Sequence, residues 1–187
     1  MNANVTLNGV AEGLASEGRV VSLEEFADEP GGAWQKGWYP ATIIEGYTTA
    51  KGKTFATEDS VSTKGDSRNL RVCLKVANGT NERTMQNSFN YRPSDFTAER
   101  LAFIKEAREE YRNVKGRWSD GDAQRSSLAI AKLGQVQKAT LKSFIFDDHM
   151  DVTKLFNVPV DVYLSIDENG YNEVTAFAPA GAKTKRS

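Results

Sequence analysis

The chain of 187 residues holds one cysteine, one histidine and five prolines. A lone Cys73 excludes an internal disulfide and any zinc cluster built on several thiolates, so no oxidising compartment is implied and a reducing cytoplasm is the expected location. With one histidine beside one cysteine, neither has a visible arrangement for nucleophilic catalysis, and a glycine-rich phosphate loop is missing. No apolar run approaches the length of a membrane span, and the N-terminus lacks the basic-then-apolar order of a signal peptide. Neither a membrane nor an export route is expected. An excess of one charge sign is also missing: 24 Lys and Arg face 25 Asp and Glu, for a net charge of -1. With 39% apolar and 26% charged residues, this is the composition of one ordinary domain with a core.

The near-zero total conceals a partition. Residues 1–36 carry 2 basic and 6 acidic side chains, residues 51–92 carry 8 and 4, and residues 144–179 carry 1 and 7. A basic middle between acidic flanks leaves room for a polyanion partner, because a local groove potential steers a ligand that the distant field does not attract. The acidic segment 1–36, with "SLEEFADEP" and little periodicity, reads as a poorly ordered arm, and "AGAKTKRS" at 180–187 reads as a loose basic tail.

Between them the pattern is mainly β with inserted helices, an α+β class. "GWYPATIIEGY" (37–47) is a strand in which Pro40 argues for an end or edge position. In "NLRVCLKVANG" (69–79), Leu70, Val72, Leu74 and Val76 alternate with Arg71, Cys73 and Lys75, so one face is core and the other offers cations. After a turn at "ANGTNER", "TMQNSFNY" is its partner strand, with Met85, Asn87, Phe89 and Tyr91 on one face. "PSDFTAERLAFIKEAREEYRNVKG" predicts a helix capped by Ser94, with Leu101, Ile104, Ala107, Tyr111 and Val114 on one stripe. "SSLAIAKLGQVQKATLKSF" predicts a shorter helix fraying at Gly134. "VPVDVYLSID", "ENG" and "YNEVTAFAP" predict a closing hairpin turned by Asn169-Gly170.

Strand, long loop, hairpin, helices and closing hairpin follow the order of an oligonucleotide-binding (OB) fold, a five-stranded Greek-key barrel. Its helical connection is enlarged here to about residues 94–146, within one domain spanning 37–179. In that fold the second and third strands and the first long loop hold the ligand. Here these places carry Lys51, Lys53, Phe55, Lys64, Arg68, Arg71, Lys75, Arg83, Phe89, Tyr91 and Arg92, cations for a phosphate backbone and aromatics for stacking bases. The loop from 50 to 67 is expected to be a flap without structure of its own, with Phe55 bare in its middle. Tyr39, Tyr47, Tyr163, Tyr171 and Phe177 are expected in the core or on sheet surfaces, and Trp38 beside the first strand.

"GWYPATI" with its lysine- and glycine-bearing loop, "LRVCLKVANGTNERTMQNSF", "DVTKLFNVPVDVYLSID" and "GYNEVTAFAP" together resemble the small phage-encoded single-stranded DNA-binding proteins of OB fold. The resemblance spans about residues 37–179. It implies sequence-tolerant binding of single-stranded DNA in replication, recombination or repair, with no cofactor and no catalysis. Many such proteins end in an acidic tail that recruits partners. Here the acidic segment "SLEEFADEP" is the candidate for recruiting replication or recombination proteins. "DDHMD", with Asp147, Asp148, His149 and Asp151, is the one candidate for metal chemistry, and its spacing fits no metal motif. The alternative function is a protein-interaction module that inhibits a host nucleic-acid enzyme through its acidic surfaces.

Overall fold

The computed structural model describes residues 32–62, 67–114, 116–118, 120–145 and 149–184. The elements run β1 (Gly37–Ile44), β2 (Gly46–Thr48), β3 (Thr54–Ala56), β4 (Glu58–Val61), β5 (Arg68–Asn78), β6 (Asn81–Tyr91), a 3-10 turn (Pro93–Phe96), α1 (Ala98–Asn113), α2 (Gly121–Thr140), a second 3-10 turn (Val152–Leu155), β7 (Pro159–Ile166) and β8 (Asn172–Pro179). All belong to one compact unit that begins at Trp34.

The protein is mostly β: a strongly curled antiparallel sheet with two helices. Its pairing order is β6-β5-β1-β7-β8. The eleven-residue β5 is long enough to share one edge between two strands, β1 against Cys73–Val76 and β4 against Arg68–Arg71. The predicted alternation on β5 holds. Leu70, Val72, Leu74 and Val76 are fully buried, and Ile43, Val160, Val162 and Leu164 join them from the neighbouring strands. The β5–β6 turn places Gly79 at φ 61°, the positive value that the first central residue of a two-residue II′ hairpin requires. The β7–β8 hairpin also forms, but with five loop residues. Asp167 Oδ1 accepts from the amides of Asn169 and Tyr171, so a side chain organises the loop in place of a two-residue turn.

Curling brings the two outermost strands together. Asn87 Nδ2 on β6 donates to the Val174 carbonyl on β8 at 2.7 Å, and the Phe89 and Phe177 rings lie 6.1 Å apart. Helix α2 packs on both of these strands and delivers Leu133, Val136 and Ala139 to the core, where Phe144 and Leu155 complete the packing. This burial explains why α2 continues through Gly134 instead of fraying there. Several buried side chains outweigh the roughly 1 kcal/mol cost of one helical glycine. The first helix starts later than expected, because Thr97 and not Ser94 accepts from the Arg100 amide as its cap. Of its predicted stripe, Ile104 and Ala107 are buried, while Leu101 and Val114 stay exposed.

Pro40 lies inside β1, not at its end. It is tolerated because the β5 ladder begins only at Ala41, so at Pro40 the strand is paired on the β7 side alone. The expected domain limits also shift. Trp34 is tied to β8 by two hydrogen bonds with the Asn172 side chain, which shortens the N-terminal arm. Gly181–Thr184, expected to be loose, are held by Asp161 on β7. The acidic segment 22–30 and the last three residues lie outside the described residues. No helix among the described residues is long and apolar enough to cross a membrane.

Candidate nucleic-acid interface

Residues that pair across the sheet share a face, so the register sorts the side chains. Opposite the core, β5 presents Asn69, Arg71, Cys73 and Lys75, β1 presents Ile44, Thr42, Pro40 and Trp38, and β7 presents Asp161 and Tyr163. The segment expected to be a bare flap instead makes a small ribbon, β2 with β3, adjoining this face of β5. Its sequence "YTTAKGKTF" is nearly symmetric about the turn. Tyr47 pairs with Phe55 and Thr48 with Thr54, whose hydroxyls meet at 3.1 Å. Gly52 takes φ 78° at the turn, and Thr49 and Lys53 close it by backbone hydrogen bonds. At the base, buried Thr57 donates its hydroxyl to the Ile44 carbonyl at 2.6 Å and accepts from the Cys73 amide at 2.8 Å. That single side chain fills the break where β1 leaves β5 and β4 takes over.

Phe55 is therefore not bare. Its ring lies 5.3 Å from Tyr47, with Lys53 Nζ 4.9 Å and the Arg71 guanidinium carbon 5.8 Å from its centroid. It remains partly exposed, as does Tyr47. Cys73 is fully buried on this face, and burial pushes its thiol pKa up; burial likewise raises the Tyr47 phenol. Arg71 Nη1 binds Glu58 Oε1 at 2.7 Å, yet Arg71 Nε and Asn69 Oδ1 are buried without a protein partner. These two polar atoms, two residues apart on one strand face, are enclosed by the protein and make no hydrogen bond to it. Lys51 at the ribbon turn is exposed, and Lys75 shares the face and binds Glu82 at 2.7 Å.

The remaining candidates lie elsewhere. Phe89 and Tyr91, expected to stack on bases, are core residues, each 4% exposed, because odd-numbered positions of β6 face inward with Leu70 and Arg68. The Tyr91 hydroxyl donates to Asp59 Oδ2 at 2.8 Å, and burial followed by Asp59 holds its pKa well above the ordinary value. Arg68 is on the same inner side, 3.0 Å from Asp59. Burial is the largest single effect and works against its charge, but the Asp59 hydrogen bond and charge, with Tyr91, together outweigh it and raise its pKa. Asp59 also accepts from the Met150 amide, so these groups staple β4, β5 and β6 to the segment before β7. Arg83 lies over the Trp34 ring at 4.8 Å. Arg92 bridges Asp95, Asp122 and Ser126, and its hydrogen bonds to Asp122 raise its pKa and lower that of the carboxyl. Together with Arg100 it fastens the helices to the end of β6. Lys64 lies outside the described residues, as do Asp147 and Asp148. Asp151 caps the second 3-10 turn by accepting from Thr153, and no cluster of three metal-binding side chains exists among the described residues.

Of the predicted set, Lys53, Phe55 and Arg71 come together, with Lys75 farther along the same face. Tyr47 and Asn69 were missed as members. The signal for Tyr47 was the symmetry of "YTTAKGKTF", which puts an aromatic at each end of a short hairpin. Asn69 gave none, since its unpartnered oxygen exists only once β4 and β6 flank it. Compared with known proteins, the chain matches no family model, no curated protein and no solved structure.

Proposed function

We propose that the protein binds single-stranded DNA along the outer face of β5 and β1, in the manner of an OB fold and with little sequence preference. The carrying observation is the Tyr47–Phe55 aromatic pair, set beside Lys53 and Arg71 on that sheet face. Aromatic planes take bases of any sequence and the adjacent cations take phosphates. Strand order also supports the reading: β1 between β5 and β7, β6 meeting β8, and helices between β6 and β7 are compatible with an OB-like barrel left partly open. Phage-type replication, recombination or repair is the setting such an activity serves.

A protein-interaction module is the second reading. Exposed Leu101, Phe103 and Leu128 on the helices favour it, and so do the carboxylates that occupy Arg71, Lys75 and Arg92. Titration of an oligothymidine and a blunt duplex of equal length across a salt series separates the two. Single-strand binding that weakens with salt, by about 0.7 of an ion per phosphate contacted, is expected. Equal affinity for the duplex, or no binding to either, overturns the proposal.

A further inference from the structure

The outer face does not end at the ribbon. Thr42 pairs with Lys75, and from there β1 leads through Pro40 to Trp38, which lies opposite Tyr163 with the two rings edge to face at 5.5 Å. The C-terminal turn closes over this end. Asp161, fully buried, accepts from the amides of Gly181 (3.0 Å), Lys183 (2.7 Å) and Thr184 (2.8 Å) and from the Thr184 hydroxyl (2.7 Å). Both carboxylate oxygens are consumed by these donors. Burial by itself raises the Asp161 pKa, but the hydrogen bonds of Thr184, Lys183 and Gly181 outweigh it and the carboxyl stays below its ordinary value. Lys183 is thereby fixed with its Nζ 5.9 Å from the Trp38 centroid. The resulting groove has a volume of about 830 Å³ and is walled by Trp38, Pro40, Thr42, Asn78, Pro159 and Lys183. Among the described residues its one charged wall residue is a lysine, so it suits a planar group attached to an anion.

We infer that this groove is a second base-stacking subsite, in which Trp38 takes a base and Lys183 the adjoining phosphate. This rests on the reading of single-strand binding and makes the C-terminal turn a wall of the site. Tyr47 follows Trp38 by nine positions, so the two aromatic stations lie at most about 30 Å apart, at roughly 3.3 Å per strand residue, and the extended run 38–44 alone covers about 20 Å of that path. A strand of a few nucleotides reaches one station only, and a longer one reaches both.

The test uses the full chain with oligothymidines of about 4 and about 12 nucleotides, within the range of footprints seen on such folds. With the longer oligonucleotide, Trp38→Phe should keep most of the affinity but lose most of the tryptophan quench, since phenylalanine still stacks. Lys183→Ala should weaken the longer oligonucleotide about fivefold and flatten its salt slope by about 0.7 of an ion, leaving the shorter one unchanged. Phe55→Ala should weaken both. If the wild type binds single strands but Trp38→Phe keeps the full quench and Lys183→Ala binds normally, the second subsite is overturned and the first stands. If the wild type binds neither oligonucleotide, both are overturned.

Discussion

Two phenylalanines, one on β3 and one on β6, have opposite duties, and their surroundings decide which. Phe89 is enclosed by Phe177 and the core, whereas Phe55 rests against Tyr47 with Lys53 and Arg71 at its ring and one side open to solvent. Removing a large enclosed ring leaves a cavity, and Phe89→Ala should cost about 3 to 5 kcal/mol of stability in a urea melt. Phe55→Ala removes a half-exposed ring and should cost no more than about 1.5 kcal/mol of stability. Its larger effect is expected on single-strand affinity, a loss of about 1 to 3 kcal/mol, the value of one stacked base. A Phe55→Ala protein as unstable as Phe89→Ala would mean that Phe55 serves the core.

The ribbon depends on one close approach between its strands. At Gly46 a Cβ would collide with the Phe55 carbonyl, a backbone atom that cannot swing away. Gly46→Ala should therefore unpair β2 from β3 while leaving β5, β6, β7 and β8 intact. The ribbon has only three pairs and few buried atoms, so its amides should exchange with solvent faster than those of β5 even in the wild type. In Gly46→Ala, exchange across residues 46–56 should reach the rate of an open loop, with single-strand affinity reduced and the melting temperature little changed. Unchanged exchange in that variant would show that the strands accommodate the methyl. The course of β8 also bears on the C-terminal turn held by Asp161. A β-bulge at Thr175, opposite the Tyr163–Leu164 step, bends β8 just before it delivers Gly181–Thr184 to Asp161.

For the molecule as a whole, acid should reveal the carboxylates whose hydrogen bonds lower their pKa values, Asp161, Asp122 and Asp151. A folded-state pKa below the unfolded value of about 3.9 means that their stabilisation is complete above that value. It is lost as the pH falls from there through the folded value. The melting temperature should be level from about pH 7 to about pH 5 and should drop below about pH 4. Asp161→Asn replaces one acceptor oxygen by a donor that faces other donors. This should cost about 1 to 3 kcal/mol at neutral pH and make the acid drop shallower. An acid profile identical to the wild type would mean that Asp161 is not a source of it.

Alternation on β5, the glycine turn after it, the two helices and the closing hairpin were all legible in the order of residues. Each rests on local rules: period two, positive φ at Gly79 and Gly170, and apolar spacing. Lys53, Phe55 and Arg71 were legible as candidates for the same reason, being cations and an aromatic on or beside one strand. The chain order alone left undecided which side of β6 faces in. Phe89 and Tyr91 alternate with polar residues just as a binding face would, and only the curl of the sheet, which brings β6 against β8 and α2, buries them. It could not pair Arg68 with Asp59 or Arg92 with Asp122, because those partners lie 9 and 30 residues away and meet through packing. Nor could it place Asp161 under a turn some 20 residues later, where a buried charge persists only because four donors arrive together. Local geometry is written residue by residue, whereas burial and charge pairing depend on which distant segments arrive at the same place.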